Sequence, residues 1–134
     1  MDVFALNPAE AANAGAVLEL RDPNGAPMLN GEEPVTITLL GADSDTYVRA
    51  SQALTDRALR NRGKQNVTAA SLLADQINLL AKVTVGWSGL EKDGETYPFN
   101  EDNARALYRI AFIREQAEAF IADRGNFSKA TPTS

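Results

Sequence analysis

The sequence predicts an α+β fold, in which an N-terminal antiparallel β-hairpin or small sheet is followed by about four packed α-helices. Two apolar runs near the N-terminus alternate with the two-residue period of half-buried strands. Further along, apolar residues recur at the spacing of one helix face. The chain has 134 residues, 44% hydrophobic and 23% charged, which is typical of one globular domain. We expect a single domain over residues 15–127, preceded by an arm at 1–14 and followed by a flexible tail at 128–134.

The N-terminal arm is small, polar and rich in alanine. Its Phe4 and Leu6 suit a contact with the body of the domain or with a partner. A frayed terminus is the alternative, because chain ends are poorly ordered unless something holds them.

The predicted hairpin consists of two alternating runs around a turn. Its apolar face comprises Ala16, Leu18 and Leu20 in the first run, then Val35, Ile37 and Leu39 in the second. Between the runs, Asp22-Pro23-Asn24-Gly25 has the residues that a type I turn prefers. A lone hairpin is marginally stable in water, so we expect helices or another subunit to cover one face.

A helix is predicted from Asp45 to about Asn61. Capping of the free N–H groups in the first turn by an Asp or Ser oxygen explains Asp43 and Asp45 better than a D-x-D metal pair does. One stripe of this helix carries Tyr47, Ala50, Leu54 and Ala58. Basic residues gather at its end, where a solvated helix terminus is favoured over a phosphate site: Arg57, Arg60, Arg62 and Lys64.

A second long helix is predicted after Gly63, with Thr68 as its N-cap. Its broad apolar face comprises Leu72, Leu73, Gln76, Ile77, Leu80 and Ala81. We expect this face to pack in the core, although a partner-binding face has the same spacing.

The helical pattern ends where Gly86 and Gly89 flank Trp87. This arrangement predicts a sharp backbone bend with the indole held in place. A tight turn is predicted at 92–95 and an extended segment at 97–99. The alternating acids around this turn lack the spacing of a calcium-binding EF-hand loop, which favours a solvated turn.

Two shorter helical patterns complete the chain. Asn100 is the predicted N-cap of the first, with acidic residues in the first turn where they suit the helix dipole. The second is expected to stop at Gly125. A break near Ala111-Phe112 separates the two, and one bent helix is the alternative.

Composition excludes several kinds of catalytic and metal site. The chain has no cysteine and no histidine, so Cys/His zinc sites, Ser-His-Asp triads and disulfides cannot form. Its net charge of -5 argues against a general nucleic-acid binder and against docking on anionic lipid. No segment has the length of a membrane span, and the N-terminus does not resemble a signal peptide. We expect no cofactor and no enzymatic activity, with a carboxylate-only active site as the remaining alternative.

An ordered series of short motifs extends almost to the end of the predicted domain. It comprises Val85-Gly86-Trp87-Ser88-Gly89-Leu90, Asp93-Gly94, Tyr97-Pro98-Phe99-Asn100, Asn103-Ala104, Ile113-Arg114-Glu115-Gln116 and Asn126-Phe127. This series resembles the tail assembly chaperones of long-tailed bacteriophages (siphoviruses), where W-x-G-L, D-G, P-F, E-N-A and I-R-E-Q precede a final N-F pair. The E-N-A motif is replaced here by D-N-A, and the resemblance covers roughly residues 15–127.

The resemblance implies a non-enzymatic chaperone that binds the tape measure protein, keeps it soluble and helps to recruit tail-tube protein. It also implies a homo-oligomer in the host cell cytoplasm that is missing from the mature virion. Family members often have a longer form made by programmed frameshift, and this chain would be the short form. A structural virion protein, either a head–tail connector or a tail component, is the alternative.

Five aromatic or apolar residues at element ends are the candidates for contact with the client or another subunit. They are Trp87, Leu90, Phe99, Phe112 and Phe127. Core packing is the alternative for each of them.

Overall fold

A computed structural model describes residues 2–60 and 68–127 of the protein. Its helices and strands are, in chain order, α1 (Ala9–Ala14), β1 (Ala16–Glu19), β2 (Leu29–Asn30), β3 (Glu33–Pro34), β4 (Thr36–Leu39), α2 (Asp45–Arg60), α3 (Ala69–Val83), β5 (Thr84–Ser88), β6 (Glu91–Lys92), β7 (Glu95–Thr96), α4 (Glu101–Leu107) and α5 (Ala111–Ala122). Short 3-10 turns lie at Val3–Leu6 and Arg124–Phe127. Helices and small antiparallel sheets in one chain confirm the predicted α+β class.

The central sheet contains the predicted hairpin and one further strand. β1 and β4 pair antiparallel, with Leu18 opposite Ile37. β4 also pairs antiparallel with β5, which places Trp87 opposite Ile37 on the other side. Of the two glycines around Trp87 where a sharp bend was expected, Gly86 does not bend the chain, because it lies inside strand β5. The backbone turns instead at Gly89, whose φ of 89° lies in the region that glycine favours.

Both predicted turns are confirmed. Gly25 N–H donates to the carbonyl of Asp22 at 2.9 Å, and the Asp22 side chain accepts from the N–H groups of Asn24 and Ala26. Asp93 and Gly94 have φ values of 55° and 82° between β6 and β7, as in a two-residue type I′ hairpin turn.

The helix caps agree with the sequence except at α2. Thr68 forms a reciprocal capping box with Ser71, and Asn100 accepts from the N–H of Asn103 at 2.7 Å. At α2 the cap is the fully buried Ser44, whose Oγ accepts from the N–H of Tyr47 at 3.1 Å. Of the Asp or Ser oxygen expected here, the cap is the serine, and the expectation that Asp43 and Asp45 act as caps was wrong.

Asp43 instead joins the start of α2 to the end of α5. Both of its carboxylate oxygens accept from Arg124, at 2.5 and 3.1 Å. α5 ends at Ala122, three residues before the expected stop at Gly125, and a 3-10 turn follows. The predicted break between α4 and α5 is present, since α4 ends at Leu107.

The N-terminal arm is attached to the body by its second half. Ala12 is buried, and its carbonyl accepts from the N–H of Gly41 at 3.0 Å. The side chain of Asn13 accepts from the N–H of Asp45 at 2.7 Å. Phe4 and Leu6 remain 85% and 61% exposed, so they do not attach the arm to the body. The predicted end of α2 at Asn61, the glycine at 63, the basic residues at 62 and 64 and the tail at 128–134 lie outside the described residues.

The core lies between the sheet and α3, α4 and α5. Its largest fully buried side chain is Tyr108, which belongs to the same buried cluster as Ile37 and Leu39 of the central strand and Val83 at the end of α3. The apolar face predicted for α3 is divided along its length. Its C-terminal part is buried as expected, whereas Leu72 and Leu73, nearer the N-terminus, are 59% and 37% exposed.

A buried hydrogen-bond chain links α3, β5 and the end of α4. The Thr84 hydroxyl donates to the carbonyl of Leu80 at 2.8 Å, so the Tyr108 hydroxyl is the donor in its 2.7 Å bond to Thr84. Burial raises the pKa of Tyr108 to about 12, against a smaller lowering by its hydrogen bond with Thr84. The phenol therefore stays a neutral donor at physiological pH.

Thr84→Val is expected to lower the free energy of unfolding by about 1–3 kcal/mol, because it leaves a buried Tyr108 hydroxyl without an acceptor. Tyr108→Phe leaves Thr84 bonded to Leu80 and should cost about 1 kcal/mol. Urea unfolding of both single variants and the double variant measures the coupling. If the double variant loses as much free energy of unfolding as the two single variants together, the two side chains are not coupled, which would contradict the Thr84–Tyr108 hydrogen bond.

Candidate partner-binding surface

Helices α2 and α3 form an antiparallel hairpin whose distal half protrudes from the body. Every residue from Thr55 to Arg60 and from Thr68 to Ala74 is exposed. Within α2 no residue at all is buried, although the helix is 16 residues long and amphipathic. A helix stabilised by packing normally buries its apolar stripe. The stripe of α2 is half-buried at Tyr47, Ala50 and Leu54 and exposed from there to the end of the helix, so its distal part is a candidate surface for a partner.

We call the exposed ranges 55–60 of α2 and 68–74 at the start of α3 the distal hairpin. Three leucines make its surface apolar. Leu59 is 61% exposed, Leu72 is 59% exposed and Leu73 is 37% exposed. Arg57 of α2 and Asp75 of α3 hold the two helices together through an ion pair of 2.5 Å. Because both partners of this pair are substantially exposed, it contributes little to stability. The leucines are thus presented on a surface that the chain itself covers only in part.

An open groove of about 360 Å³ lies where the proximal half of this hairpin meets α5. We call it the acidic groove. Its lining includes Tyr47 of α2, Gln76, Leu79 and Leu80 of α3, and Glu118 and Ile121 of α5. Glu118 supplies the only charge among the described residues that line it.

Glu118 is unusual within the described part of the chain. Its Oε2 is shielded from solvent and has no hydrogen-bond partner, while the rest of the side chain is half-buried. Desolvation raises the pKa of this carboxyl, the positive charge of Arg114 lowers it, and the negative charge of Glu115 raises it further. A carboxylate that lacks a donor at such a position destabilises the isolated protein.

Glu118→Gln is therefore expected to be more stable than the wild type, by a margin that grows as the pH rises. A raised folded-state pKa means that the folded protein binds more protons than the unfolded one between the ordinary and the raised value. Stability of the wild type falls through that window, and the amide does not titrate.

Thermal unfolding from pH 4 to pH 8 measures this effect. The melting temperature of Glu118→Gln should match the wild type at the acid end and exceed it increasingly toward neutral pH. Glu115→Gln, at the adjacent exposed position, is the matched control. A difference that does not change with pH would contradict the desolvation of Glu118.

A second groove of about 320 Å³ lies on the opposite side of the α2–α3 seam. Its lining includes Ala50, Leu54, Arg57, Leu79, Lys82 and Arg105. Each of its three cations already has a carboxylate partner. Arg57 pairs with Asp75, Lys82 lies 3.9 Å from Glu101, and Arg105 binds both Glu101 and Asp102. Its charges are balanced, so it shows no preference for an anion.

Trp87 organises an aromatic cluster at the end of β5. Its ring stacks on Tyr97 with centroids 5.6 Å apart and meets Phe99 edge-on at 5.0 Å. The indole N–H donates to the carbonyl of Tyr97 at 2.8 Å. The indole is thus held in place as predicted, and Phe99 forms the exposed edge of the cluster.

The five candidate contact residues occupy different environments. Leu90 and Phe127 are 8% and 3% exposed, so core packing accounts for them in this structure. Trp87 and Phe112 are half-buried against the core. Phe99 is 39% exposed and remains available for a contact. The sequence did not single out Leu59 or Glu118, and it assigned Leu72 and Leu73 to the core.

Within residues 2–60 and 68–127, no group of three or more acidic side chains is placed to hold a metal ion. None of the helices in these ranges is both long enough and apolar enough to cross a membrane. Comparisons with profiles of protein families, with curated proteins and with solved structures find no significant match to this chain.

Proposed function

We propose that this protein is a non-enzymatic assembly chaperone of a long-tailed bacteriophage, which binds the tape measure protein and keeps it soluble until tail-tube subunits polymerise around it. The observation that carries this proposal is the protruding α2–α3 hairpin, with its exposed Leu59, Leu72 and Leu73. The ordered motif series from Val85 to Phe127 supports it independently, through its resemblance to such chaperones.

An exposed apolar surface of this kind meets the physical requirements for binding a tape measure protein. A tape measure protein presents long amphipathic helices whose apolar stripes aggregate when uncovered. A chaperone for them needs an apolar surface that binds helices and later releases them, so affinity per site is moderate. Several weak contacts along one client raise the overall affinity. We therefore propose that the chain acts as a homo-oligomer or as several copies on each client.

The remaining parts of the proposal concern place and partners. We propose that the chaperone acts in the host cell cytoplasm, leaves before the virion is complete, and binds neither nucleic acid nor membrane. Its net charge of -5 keeps it soluble and favours a basic client. Tail-tube protein is its second partner, since tube growth must displace the chaperone.

A structural virion protein, such as a head–tail connector, is the second candidate. The exposed Val3, Phe4 and Leu6 of the arm favour it, because a permanent subunit contact would bury them. In that case the chain stays in the particle.

Co-expression with a fragment of the tape measure protein from the same phage tests the proposal. The fragment alone should precipitate, whereas an excess of this chain should keep it in a soluble complex on size-exclusion chromatography. An unrelated acidic protein of similar size is the control. Equal precipitation with and without the chain would overturn the chaperone function.

A further inference from the structure

We infer that the acidic groove receives a lysine or arginine side chain from an otherwise apolar client helix, with Glu118 as its ionic partner. This inference rests on the proposed function and specifies the chemistry of the client. Three properties of the groove carry it: its size, its apolar walls and the unpaired carboxylate at its edge.

The groove is shaped for side chains and not for a whole helix. Its volume of about 360 Å³ lies at the lower end of the range for small-ligand pockets. Tyr47, Leu79 and Ile121 provide ring and aliphatic surface from three different helices. The aliphatic stem of a lysine or arginine packs well on such surface, while its charged head reaches a polar group at the edge.

Glu118 provides that polar group. Its Oε2 is shielded from solvent and no described residue donates a hydrogen bond to it. Arg114 lies one turn earlier on α5, but its Nη1 already donates to the carbonyls of Tyr108 and Arg109 at 2.9 and 3.4 Å. Because Oε2 is shielded in the isolated chain, a cationic donor in the groove reaches it only after the Glu118 side chain turns toward the groove. The charge-assisted hydrogen bond that then forms is stronger than a neutral one.

Charge complementarity selects this occupant over a purely apolar one. An entirely apolar client segment would bury Glu118 further and leave its carboxylate with only the charge of Arg114 to compensate it and with no hydrogen-bond donor at Oε2. A client with a cation at the matching position compensates the charge and gains the hydrogen bond. The carboxylate therefore discriminates between helices that share an apolar stripe, by penalising those that lack the cation.

Two synthetic amphipathic helical peptides test this inference directly. They share one Leu/Ala face and differ at a single position in that face, which is lysine in one peptide and methionine in the other. By fluorescence anisotropy, the wild type should bind the lysine peptide about tenfold more tightly, as loss of a charged hydrogen bond implies. Glu118→Gln should bind the two peptides about equally, and the control Glu115→Gln should keep the wild-type preference.

Carbodiimide cross-linking locates the contact without relying on a variant. The lysine peptide should become joined to Glu118, as identified by mass spectrometry of the digested product. Equal affinity of the wild type for both peptides, or cross-linking only at other carboxylates, would overturn the inference. A change of oligomeric state in Glu118→Gln with an unchanged lysine preference would assign the groove to a second copy and also overturn it.

The outcomes separate this inference from the proposed function. If the chain keeps the tape measure fragment soluble but shows no lysine preference, the proposed function stands and the inference about the groove fails. If the chain prefers the lysine peptide but does not keep the fragment soluble, the groove binds a cationic side chain and the proposed function fails.

Discussion

Replacing both Leu72 and Leu73 by aspartate is expected to abolish the ability of the chain to keep a tape measure fragment soluble, while leaving its fold intact. The two leucines lie 59% and 37% exposed on the distal hairpin, where the chain itself covers them only in part. Burying such a side chain against a client contributes about 1.5–2 kcal/mol. Losing two of them should weaken binding by about 100-fold or more.

The same substitutions are tolerated by the helix for a local reason. Leu72 is the fourth residue of α3, close to the N-terminus, where negative charge interacts favourably with the helix dipole. We therefore expect the melting temperature to change by no more than a few degrees. Leu29→Asp is the matched control, because Leu29 is 57% exposed but lies on the small β2–β3 hairpin.

Client solubility and thermal unfolding, measured on the same preparations, decide the outcome. Loss of client solubility at full stability in the double variant, with the control unaffected, is the expected result. Unfolding of the double variant would show that these leucines belong to the core, as the sequence pattern first indicated. Undiminished chaperone activity would exclude the distal hairpin as the client surface.

Trp87→Ala is expected to lower the free energy of unfolding by about 3 kcal/mol, the lower end of the range for removing a large aromatic side chain. The substitution removes the ring that stacks on Tyr97 and meets Phe99. It also removes the indole N–H donor to the Tyr97 carbonyl and the cross-strand neighbour of Ile37. A substantial loss is expected even though the indole is only half-buried.

Phe99→Ala is the natural comparison, because it removes the exposed member of the same cluster. We expect it to cost about 1 kcal/mol. Urea unfolding of both variants gives the two values, and binding of the tape measure fragment is measured beside it. A Trp87→Ala chain of unchanged stability that no longer binds the fragment would show that Trp87 is a client contact and not a structural residue.

Elements with strong local signals could be predicted from the sequence. The alternation of Leu18 and Ile37 with polar neighbours identified the central hairpin, and Asn100 and Thr68 identified two helix starts. These features depend on period and capping chemistry within a few residues. The structure confirms them with the expected partners.

Other features depend on contacts between distant parts of the chain. β5 escaped prediction because Gly86 interrupts its pattern, and its extended form is fixed by pairing with β4, far away in sequence. The sequence could not decide between an Asp and a Ser oxygen as the cap of α2, because only the folded chain shows that Asp43 pairs with Arg124. Periodicity likewise cannot tell which end of α3 is covered, since that depends on which part of α3 packs on the other helices.

The candidate site was even less accessible to sequence reasoning. Aromatic content pointed to Trp87 and Phe127, which pack on the body of the protein, whereas the exposed surface is made of leucines. Glu118 looks like any polar residue of an amphipathic helix until α2 and α3 are placed beside it. What distinguishes it is an unpaired, shielded oxygen, which is a property of the fold and not of the sequence.

Quantitative mass spectrometry of the chain in infected-cell lysate and in purified particles from the same culture tests whether it is an assembly factor. An assembly chaperone must leave before the particle is complete. We therefore predict that the chain is abundant in the lysate, together with the tape measure protein, and missing from the particles. A fixed copy number in every purified particle would contradict the chaperone function and make this chain a structural component of the virion.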